Sequence, residues 1–308
     1  HRDLLDYFTP MRQLTAGRLA EGEVPWINLA NGCGEAWFAN PQNGVLYPPH
    51  WAYLVLPPQW ALTLEVAVHL ALLSLGVGLL ARRWGADGPG QTAAEAAAFS
   101  AGPVLAMVGV VNNLNALSWV PWMVLWAAEE DRPALPRIAL AVAAARRRLV
   151  AAATGSLGLA LVAVQAVPFL SWVMEGDRGP GSGAACLVGA VPPAAWWGLV
   201  LPGAPAAVAD QMVYAESLLL GAPLLAWAAL GLRRRPWALV PVLALATLAT
   251  LPSVGGAAPY LALTHGFVRY PGRFALVAVA CLLPLVGVGF TRWRSGSPRS
   301  PYILPQNV

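Results

Sequence analysis

Apolar residues occur along this chain in long runs that are separated by shorter polar or Arg-containing stretches. Seven of these runs come close to the 17–25 residues that an α-helix needs to cross a bilayer core of about 30 Å. The pattern therefore predicts an all-α polytopic membrane protein with about seven transmembrane helices. The predicted spans, of which the third is short, are 59–81, 93–111, 114–128, 149–174, 213–232, 236–254 and 273–291.

The distribution of Arg residues predicts the orientation of these spans. If residues 1–58 lie outside and the seven spans alternate, 13 of the 19 basic residues face the cytoplasm, including the triplets 146–148 and 233–235. The opposite orientation reverses this bias, and cytoplasmic loops usually carry the excess of Arg and Lys. A further apolar stretch, 135–145, is too short to cross and is predicted to be interfacial or re-entrant.

Composition agrees with the membrane prediction and excludes other classes. The 308 residues are 57% hydrophobic and only 11% charged, whereas soluble domains are about one quarter charged. The net charge of +4 does not indicate nucleic-acid binding, because the Arg residues fall at helix ends rather than in one patch. No zinc-ligand or phosphate-loop motif occurs, so we expect no metal and no cofactor.

The polar stretches divide the chain into three predicted regions. Residues 1–58 form an extracytoplasmic first loop with an amphipathic helix, and 59–291 form the transmembrane domain. Residues 292–308 form a basic cytoplasmic tail. The first loop is rich in Trp and Pro, which give it apolar area to bury. We therefore expect it to be a compact cap that packs on the outer loops 175–212 and 255–272.

Two pairs of charged residues stand at the predicted outer membrane surface. Asp3 and Asp6 share one face of a helix, where a carboxylate can act as a general base. Alternatively, one is a helix N-cap and the other a solvated charge. Arg269 and Arg273 flank Tyr-Pro-Gly before the last span and suit a lipid phosphate. Alternatively, they extend to ordinary anionic head groups.

Other polar residues lie in or near the spans. Glu65 and His69 are one helical turn apart in the first span, which suits either a proton relay or a satisfied contact that orients the helix. Asn112, Asn113 and Asn115 occupy a predicted outer turn. Cys33 and Cys186 are both predicted to lie outside, and the sequence leaves open whether they form a disulfide.

Five segments in this order resemble the YfhO-like family of bacterial membrane proteins, within the GT-C glycosyltransferase-like superfamily. They are DLLDYFTP (3–10), GEVPWINLANGCGEAWFANPQNGVLYP (22–48), HLALLSLGVGLLARRWG (69–85), VQAVPFLSWVMEGDRG (164–179) and VRYPGRF (268–274). Each motif is loose, and their order and spacing are more specific. Compared with the family, the first helix, a Gly-His-Pro-type turn near 146 and the C-terminal part are missing. The chain is therefore expected to be a fragment.

The resemblance implies a GT-C-like fold in the bacterial inner membrane and transfer of a sugar from a polyprenyl-phosphate donor. The acceptor would be an envelope glycan or a lipid-linked acceptor on the extracytoplasmic face, with membrane lipid as the other partner. The implied base is Asp3, with Asp6 as the neighbouring candidate, and Arg269 and Arg273 would bind the donor phosphate. The implied sugar or acceptor contacts are Trp26, Asn28, Trp37, Asn40, Gln42 and Tyr47.

If Asp3 is the base, it should lie roughly 6–12 Å from Arg269 or Arg273, by analogy with the carboxylate spacing that leaves room for a nucleophile in inverting glycosidases. The alternative is a non-catalytic transporter or envelope assembly protein on the same scaffold. A transporter should show two related halves with broken helices, and no such symmetry is found in the sequence. The third hypothesis is that the chain is a degraded, inactive fragment.

Overall fold

The computed structural model describes residues 4–29, 34–127, 187–201, 217–264 and 270–296. These residues are mostly helical. The α-helices are α1 (Thr9–Ala20), α2 (Pro58–Arg83), α3 (Gly88–Ser100), α4 (Gly102–Met107), α5 (Val111–Ala127), α6 (Ala222–Leu232), α7 (Leu239–Thr250), α8 (Ala257–Thr264), α9 (Gly272–Ala280) and α10 (Leu283–Ser295). A π-helical turn, Leu4–Phe8, precedes α1, and short 3-10 helices lie at Pro48–Leu54, Val108–Val110, Pro193–Leu199, Pro236–Ala238 and Leu251–Val254.

The chain divides into two compact units. The smaller one includes Asp6–Thr63, and the larger one includes Leu64–Trp126 and the described residues after 186. In the smaller unit, two short strands, β1 (Ile27–Asn28) and β2 (Glu35–Ala36), pair antiparallel. Its apolar residues form two small clusters that pack α1 against the loop between β2 and α2.

Four helical stretches of the described residues are long and apolar enough to cross a membrane. They are Pro58–Arg83, Gly102–Leu125, Pro236–Val254 and Gly272–Ser295. This composition agrees with an all-α, multi-pass membrane protein. The first and the last two stretches match the predicted spans 59–81, 236–254 and 273–291. The predicted span 149–174 and the apolar stretch 135–145 lie outside the described residues.

The second and fifth predicted spans differ from the structure, whereas the third, 114–128, falls on α5, which is part of the longer Gly102–Leu125 stretch. The helix predicted at 93–111 begins earlier, at Gly88, and breaks at Ala101. The break arises because Pro103 has no N–H to continue the helix, so α4 starts anew with Pro103 in its first turn. The chain then continues through one 3-10 turn into α5. Of the predicted span 213–232, the described part is helical only over Ala222–Leu232, which is too short to cross alone.

A polar junction holds the start of α3 against the end of α10. Asp87 caps α3 by accepting a hydrogen bond from the Gly90 N–H at 2.8 Å. The same carboxylate accepts from the Thr291 hydroxyl at 2.9 Å and forms an ion pair with Arg294. Burial acts to raise the pKa of Asp87, but the bonds from Gly90, Arg294 and Thr291 together hold it below the ordinary value of 3.8.

The Arg-rich ends of several helices meet at the same end of the larger unit. The Arg235 guanidinium donates to the Trp84 carbonyl, just past the end of α2, at 3.2 Å. Trp84 also packs edge-on against Trp237. Arg82, in the last turn of α2, donates to Gln91 of α3 at 3.3 Å. In the orientation predicted from the sequence, this Arg-rich end would face the cytoplasm.

Small residues let the helices of the larger unit approach closely. A Cβ on Gly289 of α10 would collide with the Trp227 carbonyl of α6, and one on Gly231 would collide with the Leu285 carbonyl. Gly287 similarly lies against the Gly90 carbonyl. Close backbone approach at glycine is a common means of packing helices in membranes, where burial away from lipid supplies little driving force.

Candidate functional site

The predicted base and one of the two predicted phosphate ligands, Asp3 and Arg269, lie outside the described residues. Asp6 is described and lies exposed in the π-helical turn before α1. Because Asp3 lies outside the described residues, the predicted spacing from Asp3 to Arg269 or Arg273 stays a prediction.

A buried Arg organises the smaller unit. Arg12 lies on α1 and is only 1% exposed. Its Nη1 donates to the carbonyl oxygens of Gln42 and Asn43, at 2.7 and 3.0 Å, and its guanidinium lies 5.9 Å from the centre of the Phe8 ring. A guanidinium carries several donors in a fixed plane, so one side chain can bind two carbonyls of the same turn. Arg12 therefore ties the turn at residues 40–43 to α1.

The side chains of this turn form further contacts around Arg12. Asn43 is fully buried and donates to the Trp37 carbonyl at 2.7 Å. The Trp37 indole in turn donates to the Thr15 hydroxyl on α1 at 2.9 Å. The predicted sugar contact Trp37 is therefore buried in the core of the smaller unit, with its polar atom bonded to α1.

Two of the predicted sugar contacts belong to the same turn. Asn40 is buried, its amide nitrogen donates to Glu35 at 3.1 Å, and its oxygen accepts from the Gln42 N–H at 3.0 Å. Gln42 is exposed, and its side-chain oxygen accepts from the Tyr7 hydroxyl at 2.6 Å. The geometry thus gives Asn40 a role in shaping the turn, whereas Gln42 lies at the surface.

The remaining predicted contacts lie on the strands and before the 3-10 helix. Trp26 is 60% exposed and packs on Phe38, with the ring centres 4.6 Å apart. Asn28 is half-buried and pairs with Glu35 across the two strands. Tyr47 is half-buried and meets the His50 ring edge-on at 4.8 Å. Of the predicted aromatic contacts, Trp26 presents the largest exposed face.

Arg273 lies in the larger unit, at the start of the last candidate span. It is the second residue of α9 and is half-buried. Its guanidinium carbon lies 5.2 Å from the centre of the Tyr270 ring, within the range of a cation–π contact. Tyr270 has a φ of 61°, the one positive φ among the described residues other than glycine. A bulky residue in this region is strained, by about 1–2 kcal/mol.

A second group of polar side chains is buried between α2 and α5. Glu65 is 2% exposed, and its carboxylate accepts a hydrogen bond from Asn115 at 2.7 Å. His69 is fully buried, with its Nδ1 2.6 Å from the Glu65 carbonyl one turn earlier. Ser118 is also fully buried and donates to the Asn115 carbonyl at 2.7 Å. The Glu65 carboxylate is thus hydrogen-bonded to a neighbouring helix, whereas the contact predicted from the sequence was its pairing with His69.

Glu65 and His69 were predicted as a pair, whereas Asn115 was predicted to lie in an outer turn; Asn115 lies instead within α5, and its contact with Glu65 was not predicted. The burial of Arg12 was not predicted, because its position in the first loop placed it among the basic residues of the outer side. The available signal was an Arg four residues after Phe8 on the apolar side of an amphipathic helix, where a charge needs buried acceptors. Within the described ranges, no group of three His, Cys, Asp or Glu side chains could hold a metal ion.

Comparisons of this chain with protein-family models, with curated proteins and with solved structures found no match.

Proposed function

We propose that this chain is the membrane part of a bacterial inner-membrane glycosyltransferase. It would transfer a sugar from a polyprenyl-phosphate donor to an envelope glycan or lipid-linked acceptor on the extracytoplasmic face. Support for the proposal comes from the ordered motifs that resemble the YfhO-like family and from the four helices that can cross a membrane.

The observation that carries the proposal is the position of Arg273. The side chain stands at the first turn of the Gly272–Ser295 span, at the end opposite to the Arg-rich end of α10. A polyprenyl-phosphate keeps its chain in the hydrocarbon and its phosphate at the membrane surface, which is the level of a helix start. The cation–π contact with Tyr270 restricts the guanidinium at that level. A cation held in place before the reaction stabilises the charge that the leaving phosphate gains.

The chemistry then divides between two groups. A carboxylate, assigned to Asp3 with Asp6 as the alternative, takes the proton of the acceptor hydroxyl as its oxygen attacks the anomeric carbon. The sugar–phosphate bond breaks, and polyprenyl phosphate leaves with the bonding electrons. Arg269 and Arg273 bind the phosphate oxygens in the ground state and as their charge increases. Exposed Trp26 offers an apolar face for a sugar ring.

The test is turnover of a polyprenyl-phosphate sugar by the full chain in lipid nanodiscs, with donor binding measured in parallel. Arg273→Ala should weaken donor binding about 10- to 150-fold, because a charge-assisted hydrogen bond contributes about 1.5–3 kcal/mol. Arg292→Ala is the matched control, since Arg292 is also half-buried but lies at the other end of the same span. It should leave binding unchanged.

Asp3→Asn should lower turnover about 10²- to 10⁴-fold without weakening donor binding, which is the usual contribution of a general base. If Asp3 is instead a helix cap, Asn replaces it with little effect, and Asp6→Asn becomes the variant that loses turnover. Donor binding without turnover in the unaltered chain would favour the non-catalytic transporter or assembly protein. If the unaltered chain neither binds nor turns over the donor, the proposal is wrong.

A further inference from the structure

Two candidate membrane spans of the larger unit each have one end at a group of Arg residues. The span Pro58–Arg83 finishes with a pair of them, and the span Pro236–Val254 begins directly after a triplet. The Arg235 guanidinium donates to the Trp84 carbonyl, one residue past the end of the first span, so the two groups lie on the same side of the membrane. Together they form the Arg junction, which consists of Arg82, Arg83, Arg233, Arg234 and Arg235.

Arg235 is fixed in the junction and keeps donors for a ligand. Its Nε and Nη2 both donate to the Trp84 carbonyl, at 3.3 and 3.2 Å, and a cation suits such a carbonyl at the end of a helix. A guanidinium has five N–H donors, so three remain, two of them on Nη1. These three bind no other group in the described part of the chain. Because the side chain is already held in place, it loses little conformational entropy when it binds an anion.

The positive charge of the junction is largely without acidic partners. Arg82, Arg233 and Arg235 form no ion pair with any residue that the structure describes. Arg82 donates to the uncharged side chain of a glutamine on α3, and Arg233 is exposed. The carboxylate closest to Arg82 in sequence, Asp87, is paired with Arg294. A cluster of cations at the membrane surface attracts anionic head groups.

Aromatic and apolar side chains continue the junction into the apolar layer. Trp84 is half-buried and meets the exposed Trp237 edge-on, with the ring centres 5.1 Å apart. Tryptophan is enriched at the level of the lipid head groups. Beyond Trp237, only 11% of the Pro236–Val254 span is buried, compared with 67% of Gly272–Ser295. Cations at head-group level thus adjoin an apolar helix surface on which acyl chains can lie.

We propose that the Arg junction binds the phosphate head group of an anionic phospholipid, whose acyl chains lie along the exposed side chains of α7. Guanidinium donors match phosphate oxygens in charge and geometry. The adjoining apolar surface favours a lipid over a soluble phosphate, which would use the cations alone. In the predicted orientation, this lipid belongs to the cytoplasmic leaflet.

This site is separate from the proposed transfer site at Arg273. A Cβ on Gly272, at the start of α9, would lie 3.6 Å from the Val191 side chain, and the Val191 N–H donates to the Ala249 carbonyl near the end of α7. The start of α9 is therefore close to the end of α7. The Arg junction lies at the start of α7, about 15 Å away along that helix. Lipid binding at the junction does not depend on the proposed glycosyl transfer.

The alternative is that these Arg residues only set the orientation of the spans and attract anionic lipid without a defined site. Diffuse attraction depends on the total charge at this end of the protein. It should therefore fall by the same amount, about fivefold, whichever Arg is removed. A defined site instead depends on particular Arg residues.

The test is native mass spectrometry of the full chain in detergent, titrated with cardiolipin, a phospholipid with two phosphates. Arg233→Gln should weaken cardiolipin binding about 10- to 150-fold, the contribution of a charge-assisted hydrogen bond. This variant breaks no contact of the described residues, so the fold is expected to be kept. Arg292→Gln is the matched control, because it removes one charge from the Arg-rich end of α10. It should weaken binding by no more than about fivefold.

Two further measurements identify the ligand. Phosphatidylethanolamine, which has no net charge, should bind the unaltered chain more weakly than cardiolipin. Inorganic phosphate in excess should not displace cardiolipin, because it cannot replace the contacts of the acyl chains. Equal weakening by Arg233→Gln and Arg292→Gln, equal binding of the two lipids, or displacement by inorganic phosphate would each overturn the proposal.

Discussion

Replacing Arg12 with leucine removes the guanidinium that holds the turn at residues 40–43, while leaving a side chain that fills part of the same space. Two backbone carbonyls, those of Gln42 and Asn43, then lose their charged donor in a largely buried setting. A buried acceptor left without its partner costs about 1–3 kcal/mol, so the two together cost about 2–6 kcal/mol. The loss should appear as local opening of the turn.

Hydrogen exchange of the peptide that covers residues 37–47 measures this opening. A cost of about 2–6 kcal/mol corresponds to exchange that is faster by about 30-fold to 10⁴-fold, up to the limit set by complete unfolding of the unit. In Arg12→Lys, exchange of this peptide should be faster than in the unaltered protein but slower than in Arg12→Leu, because a single ammonium keeps the charge but lacks the planar set of donors.

The matched control is Arg18→Leu on the same helix. The Arg18 side chain is 53% exposed and pairs with Glu23 at 2.9 Å, and exposed ion pairs contribute about 0–1 kcal/mol. Exchange in residues 37–47 should therefore stay within a few-fold of the unaltered protein. Equal protection of this peptide in Arg12→Leu and Arg18→Leu would refute the reasoning, because it would mean that the turn holds its conformation without the buried guanidinium.

Three further predictions concern the larger unit and the topology. Asp87→Ala should lower the free energy of unfolding by about 0.5–2 kcal/mol through loss of the helix cap. Since the folded-state pKa of Asp87 is lowered, the stability that its charge contributes is present above the ordinary value of 3.8 and is lost as the pH falls through the folded pKa. The unaltered protein should therefore unfold at a higher temperature than Asp87→Asn, and this difference should shrink in acid. Gly289→Ala should destabilise the protein by about 1–3 kcal/mol in chemical denaturation, because the new methyl group meets a backbone carbonyl. Gly17→Ala, which meets nothing, should be neutral or stabilising. In a cysteine-free background, a membrane-impermeant thiol reagent added outside should label Glu21→Cys but not Arg234→Cys, and the reverse pattern would contradict the predicted orientation.

The membrane class and three of the span positions could be predicted from the sequence because they depend on local length and hydropathy. Residues 58–83 and 236–254 are apolar from end to end, so their helices need no tertiary information. The break at Ala101 could not be placed by the same means, because glycine and proline are common inside membrane helices. Whether Pro103 interrupts a helix depends on whether another part of the chain provides hydrogen-bond partners for the backbone groups near the proline that the helix no longer pairs. Here the Gly102 N–H donates to the Leu219 carbonyl, more than a hundred residues away along the chain.

In the candidate sites too, the features that depend on one helix could be predicted, and those that depend on a second segment could not. A sequence pattern identifies Glu65 and His69 as a pair, since both lie on one helix, one turn apart. The partner Asn115 comes from another helix, and no local pattern states which helix packs on which. Arg12 was overlooked for a related reason: an Arg in an outer loop usually faces water, and its burial depends on a turn thirty residues later folding back on α1.

The junction of Asp87, Thr291 and Arg294 has a consequence for the order of biosynthesis. Its two sides are separated by 204 residues between Asp87 and Thr291. At the usual rate of about 5–20 residues per second, the ribosome needs roughly 10–40 s to produce the second side after the first. During that interval α3 is already made, while α10, which meets its small residues Gly90 and Ala94, is not. Helix α3 can pack on α2 during that interval, as Arg82 and Gln91 do in the final structure, but its junction with α10 forms only after α10 has been inserted.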